Sequence, residues 1–112
     1  MSDCLFCKIA AKEIPAKIVF EDAQTVVFRD INPQAPTHVL VAPRKHIACL
    51  ADSTDEDAPL LGHLQRVAAK VAAQLEVKWF RVVLNNGRGA GQTVDHVHYH
   101  LLGGRAMQWP PG

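Results

Sequence analysis

The chain has 112 residues and a mass of 12.3 kDa, the size of one domain with one hydrophobic core, which excludes a second folding unit. Apolar residues make up 48% and charged residues 21%, so a packed globular fold is expected and disorder is excluded. With 12 Lys and Arg against 11 Asp and Glu the formal charge is +1, and no basic run is longer than Arg44-Lys45-His46, which excludes a nucleic-acid polymer as partner. No apolar run approaches the roughly 18 residues of a membrane helix, and no basic n-region precedes an apolar stretch at the start, so the expectation is a soluble, cytoplasmic protein. Three cysteines do not form a secreted disulfide framework, and in a reducing compartment Cys4-x-x-Cys7 points to metal binding or redox chemistry. Six histidines are the one anomaly of the composition.

In chain order, Asp3 to Ile14 predicts a short opening helix with Leu5, Ile9 and Ala10 on one face, stopped by Pro15. Lys17 to Glu21 and Thr25 to Asp30 are β-branched and aromatic runs around Asp22-Ala23-Gln24, the pattern of a hairpin. After the turn Asn32-Pro33-Gln34-Ala35-Pro36, Thr37 to Ala42 reads as a third strand ended by Pro43. Ser53-Thr54-Asp55-Glu56 has capping-box form, and Leu60, Leu64, Val67, Val71 and Leu75 then recur at helical steps. Pro59 suits the first position of that main helix, which leaves Asp55 to Asp57 as an irregular lead-in. Trp79 to Asn85 and Val94 to Leu102 are two further strands, joined by the loop Asn86 to Gln92. The expectation is one α+β domain over residues 1–112, with about five mostly antiparallel strands and two helices.

His96-Val97-His98-Tyr99-His100 alternates strictly, so on a strand all three imidazoles leave one face, about 6.6–6.8 Å apart at Cα. Three readings are open: a metal site, since His-x-His on a strand chelates zinc; nucleophilic catalysis by one imidazole with its neighbours binding an anion; or a half-exposed strand with no chemistry. Gly87, Gly89 and Gly91 give a flexible loop before it, whose N–H groups can approach an anion. That loop matches neither the P-loop nor the dinucleotide fingerprint. Alone it is ordinary turn chemistry.

The stretch Gly91-Gln92-Thr93-Val94-Asp95-His96-Val97-His98-Tyr99-His100-Leu101-Leu102 resembles the signature of the histidine triad (HIT) nucleotide hydrolases and transferases. The likeness extends to Lys12 to Lys17, Phe20-Glu21-Asp22, Asp30 to His38, Leu61 to Leu64 and Gly103-Gly104-Arg105. Pro33 to His38 and the tail Trp109-Pro110-Pro111-Gly112 resemble the Hint branch, the purine nucleoside phosphoramidases. The resemblance implies that His98 is the nucleophile on the α-phosphorus and that His100 and His38 hold the phosphate and fix its tautomer. It places Thr93, where relatives carry Ser, beside the leaving amine. Asn85, Gln92 and the N–H groups near Val94 would bind phosphate oxygens, and Asp30 the ribose hydroxyls. Phe6, Ile9, Ile14, Phe28 and Ile31 would line a purine slot, and each is equally a core residue.

The resemblance further implies a structural zinc on Cys4, Cys7, His46 and His96, catalysis that requires no cofactor, and a homodimer in which Trp109 reaches the partner's site. The tail reads equally as a frayed terminus, and Cys4 and Cys7 as inert thiols or a redox pair. Cys49 is expected to be buried, and His63 to be a satisfied structural histidine on the main helix. The expected function is cleavage of the P–N bond of adenosine or guanosine phosphoramidates. The competing expectations are a dinucleoside polyphosphate hydrolase, a nucleotide-binding scaffold with incidental catalysis, and a small zinc module.

Overall fold

The computed structural model describes residues 3–112; Met1 and Ser2 lie outside the described residues. Five strands form one antiparallel sheet: β1 (Ile18–Glu21), β2 (Thr25–Arg29), β3 (Thr37–Pro43), β4 (Phe80–Val83) and β5 (Tyr99–Gly103), in the order β1-β2-β3-β5-β4. The longer helix, α2 (Ala58–Gln74), covers one face, and the short α1 (Leu5–Ala10) covers part of the other. No helix among the described residues is long and apolar enough to cross a membrane.

Alternation along the strands divides the core in two. Val27, Val39, Val41, Tyr99 and Leu101 meet Leu64, Val67, Ala68, Val71 and Ala72 of α2. Val26, Phe28, Leu40 and Ala42 point the opposite way and meet Phe6 and Ile9 of α1. The expected stripe of α2 is therefore the one that packs, with Leu60 and Leu75 half-buried at its ends. Each fully buried Leu or Val contributes about 1.5–3 kcal/mol, so this helix anchors the sheet.

Several boundaries differ from the sequence reading, each for a local reason. The helix α1 stops at Ala10 because Lys12 adopts φ 63°, a left-handed residue that ends the helix before Pro15 is reached. Its inward residues are Phe6 and Ile9, whereas Leu5 is exposed. The capping box belongs to Thr54 and Asp57, one residue later than expected, with the Asp57 carboxylate accepting the Thr54 N–H at 2.9 Å. Asp55 to Asp57 form a single 3₁₀ turn as lead-in, and Pro59 lies in the first turn of α2. Cys49 is half-buried rather than buried. His63 is satisfied as expected, its Nε2 2.8 Å from Asp22 Oδ2.

The largest difference concerns the histidine strand. Only Tyr99–Gly103 joins the sheet, while residues 94–98 run as an irregular approach. Its partner β3 supplies the reason. Pro43, at the end of β3, has no N–H to extend the ladder, its carbonyl is taken by Nε2 of His96 at 2.7 Å, and the Val97 N–H turns to Ile47 O at 2.7 Å.

Candidate active site

All three histidines of the motif nevertheless lie on the α1 face. The Phe6 ring stands edge-on to both His96 and His98, with centroids 5.9 and 4.9 Å away, and His98 and His100 are 5.0 Å apart. His38 on β3 joins them because it pairs with Leu102 in register, near the Leu40 and His100 pair. His38, His96 and His98 are buried, and His100 is half-buried.

Hydrogen bonds set the protonated nitrogen of each ring. A neutral imidazole has one donor and one acceptor nitrogen. His98 Nδ1 lies 2.6 Å from the carbonyl oxygen of His96, so Nδ1 carries the proton and Nε2 carries the lone pair. The Gln34 N–H donates to Nδ1 of His38 at 3.0 Å, which puts the proton of His38 on Nε2. That Nε2 is 2.9 Å from Nδ1 of His100, so the proton of His100 sits on Nε2. The site therefore offers one nucleophilic nitrogen on His98 and one N–H on His100. Burial holds His38 and His98 below the ordinary imidazole range. His100 is pushed down to about 4 by burial, with repulsion from His98 and His38 adding to it. Asp30 opposes these shifts; its Oδ2 is 3.4 Å from His38 Nε2, and its Oδ1 accepts the Asn32 N–H at 2.8 Å.

A second cluster adjoins the first. Cys4, Cys7, His46 and His96 bring one donor atom each to within 4.8 Å of one another. Nδ1 of His96 is 3.2 Å from Cys4 Sγ, 3.5 Å from Cys7 Sγ and 3.2 Å from Nδ1 of His46, which itself lies 3.4 Å from Cys7 Sγ. Such spacings are those between ligands of a tetrahedral ion with bonds of about 2.0–2.3 Å. Since Nε2 of His96 donates to Pro43 O, its Nδ1 presents a lone pair to its neighbours, the arrangement of a metal-ligating histidine held by a backbone carbonyl. The donor set fits a closed S₂N₂ metal centre.

The other expected site residues divide. Thr93 is exposed and Val94 half-buried on an open groove of about 1120 Å³ that also touches Cys4, Cys7, His46 and Asp95. Asn85 is half-buried beside Gly91, whose φ of 101° favours glycine. Gln92 departs from expectation: its Oε1 accepts the Gly87 N–H, and both N–H groups of its amide are engaged, by Ala48 O at 2.7 Å and Val94 O at 3.0 Å. The Gln92 side chain braces the loop and offers no free donor for a phosphate. Phe28 is 3% exposed and packs edge-on against Phe6 at 5.1 Å, which makes it core rather than open pocket wall. Ile31 is fully exposed, and no other described residue covers it. Trp109 is 81% exposed and lies against the Arg81 guanidinium, 5.9 Å from the ring centre, so within one chain it is not brought into the histidine cluster.

Sequence reasoning missed three contributors. The Gln34 N–H and the Pro43 carbonyl act through the backbone, for which side-chain type gives no signal. Arg88 donates to Gln92 O at 3.0 Å and pairs with Asp95 at 2.9 Å, bracing the glycine loop from outside.

An antiparallel sheet thus brings His98 with an unprotonated Nε2, a second imidazole N–H on His100 and a glycine loop together at one strand end. The HIT domain family matches residues 11–107, and the chain belongs to that family. An uncharacterised HIT-like protein of Synechocystis is 53% identical over 98% of this chain and 97% of its own. Among solved structures, a HIT family hydrolase from Legionella pneumophila is 54% identical with a TM-score of 0.94, covering 98% of this chain and 100% of that one. A HIT family hydrolase from Clostridium thermocellum is 44% identical with a TM-score of 0.93, covering 96% of each chain.

Proposed function

We propose that the protein is a purine nucleoside 5′-phosphoramidase. His98 Nε2 attacks the α-phosphorus, the P–N bond breaks, and the amine leaves with a proton passed to it through the Thr93 hydroxyl while the nucleotidyl group rides on His98. Water then attacks the same phosphorus, its proton replaces the one Thr93 passed on, and the P–N bond to His98 breaks to restore the imidazole, so two displacements replace one harder one. The observation that carries the reading is the 2.6 Å bond from His98 Nδ1 to the His96 carbonyl, which leaves Nε2 unprotonated. The His100 N–H and the loop N–H groups around Val94 stabilise charge on the phosphoryl oxygens. Thr93 is assigned to the leaving amine, and Asp30, with Asn85, to the ribose and phosphate side. The likeness to two proteins described as hydrolases supports hydrolysis; the tail and the Pro33 to His38 stretch support the phosphoramidase branch.

The chemistry requires no cofactor. Cys4, Cys7, His46 and His96 hold a structural zinc, whose part is to fix His96. A homodimer is supported by edge strand β4, whose Phe80 and Val82 are exposed together with Trp79 before it and Trp109 against Arg81, an apolar border that a second copy would cover. Three cysteines outside any disulfide fit a cytoplasmic location.

The test is hydrolysis of an adenosine 5′-phosphoramidate by wild type and His98→Ala in EDTA, with a diadenosine polyphosphate as competing substrate. Preferred P–N cleavage that is lost in the variant is expected. Preference for the polyphosphate would assign the alternative hydrolase, and AMP binding without turnover of either would assign a binding protein.

A further inference from the structure

The bonds that orient the His38 and His100 pair lead back to one exposed side chain. Arg105, just beyond β5, donates from Nε to the carbonyl oxygen of Gln34 at 3.0 Å and from Nη1 to that of Ala106 at 3.0 Å. Gln34 sits in the turn between β2 and β3, and its N–H is the donor to His38 Nδ1. The turn's other bonds run from Asn32 N–H to Asp30 Oδ1 and from Gln34 Nε2 to Asn32 O, within the turn, and from Asp30 N–H to His38 O at 3.0 Å, at its base. Arg105 ties the turn to the end of β5. The two segments approach closely there: a Cβ on Gly104, whose φ is +90°, would lie 2.9 Å from Pro36 Cβ.

The Gln34 N–H sets the polarity of the His38 and His100 chain together with the Asp30 carboxylate, whose Oδ2 lies 3.4 Å from His38 Nε2 and favours a proton there. While the Gln34 N–H donates to His38 Nδ1, protons sit on Nε2 of His38 and Nε2 of His100, and the free nitrogen of His100 is a donor. If it withdraws, His38 can take its proton on Nδ1 and accept from His100 instead. The free nitrogen of His100 then bears a lone pair, which repels a phosphoryl oxygen. We propose that Arg105 is a positioning residue for the phosphoryl site: by holding Gln34, it selects the tautomers of His38 and His100 that present an N–H to the substrate. The role in turnover rests on the phosphoramidase reading. Both rings stay neutral at pH 7 because burial lowers their affinity for a second proton, so the choice of tautomer persists under working conditions.

The test is long-range proton–nitrogen NMR of the full chain, which reports which nitrogen of each imidazole is protonated. Wild type is expected to show Nε2-protonated His38 and His100. Arg105→Ala and Arg105→Gln are expected to shift both rings towards the Nδ1-protonated form, with kcat for phosphoramidate lowered about 10- to 100-fold. Arg105→Lys, which keeps a donor of similar reach, is expected to restore much of the wild-type spectrum. Wild-type tautomers in both the Ala and Gln variants would overturn the proposal, even with a lowered melting temperature. The spectrum needs no turnover, so a protein that fails to cleave phosphoramidates refutes the phosphoramidase reading and still leaves the effect of Arg105 on the tautomers readable.

Discussion

The ring of His98 and the backbone of His96 are joined by a bond of 2.6 Å, while the side chain of that same His96 stands among Cys4, Cys7 and His46. One residue thus orients the His98 ring with its carbonyl and joins the Cys4, Cys7 and His46 group with its ring. Two neighbouring clusters share a single hinge point. Cys7→Ser is accordingly expected to do two things: reduce bound zinc below about one-tenth equivalent and lower kcat with KM little changed. Metal analysis of untagged protein beside steady-state kinetics checks both. Zinc-free protein with wild-type kcat would separate the clusters.

The proposed zinc also bears on stability, because Cys4, Cys7, His46 and His96 connect the start of α1, the segment after β3 and the approach to β5. Chelation is expected to lower the melting temperature by at least about 5 °C, since each kcal/mol shifts a domain of this size by roughly that amount. Re-addition of zinc is expected to restore it. A scanning calorimetry trace unchanged by chelator would contradict the assignment.

Acid should destabilise the protein through His100 and His38. Both have native pKa values depressed below the ordinary 6.5, so below pH 6.5 the unfolded chain binds protons that the native state does not. Stability is therefore full above pH 6.5 and falls as pH drops, for His100 down to about 4. The slope approaches about 1.4 kcal/mol per pH unit for each such histidine. Urea unfolding at successive pH values measures it, and His100→Phe is expected to flatten the curve.

Gln92 makes three bonds that hold the glycine loop closed, and it is 3% exposed. Gln92→Ala leaves the Gly87 N–H and the carbonyls of Ala48 and Val94 short of a partner. A loss of about 1–3 kcal/mol is expected. Chemical denaturation measures the loss, and a raised KM for phosphoramidate is expected with it because Thr93 and Val94 follow the loop directly.

The sheet, the main helix and the one-faced histidines were legible in the sequence because each rests on side-chain periodicity, which burial enforces. Val67 and Val71 fall where their helical spacing puts them, and the motif histidines keep one face even though His96 and His98 lie outside the strand. What stayed hidden works through the backbone. The stop of α1 is set by φ at Lys12, and the early end of the β3 and β5 ladder is set by the missing N–H of Pro43. Gln92 escaped for a related reason: an amide before a histidine motif does not announce that three backbone groups already hold it. Ile31 and Trp109 were expected at the site and stand exposed outside the histidine cluster, because a resemblance gives a residue's place in a motif and not what covers it.

Whether His98 carries the nucleotidyl group can be read by rapid acid quench of the enzyme with an adenosine phosphoramidate, followed by mass spectrometry of its peptides. One adenylyl group is expected on the peptide containing His98, attached at that residue and absent in His98→Ala. Turnover with no adduct at any quench time, or an adduct on another residue that persists in His98→Ala, would contradict covalent catalysis by His98.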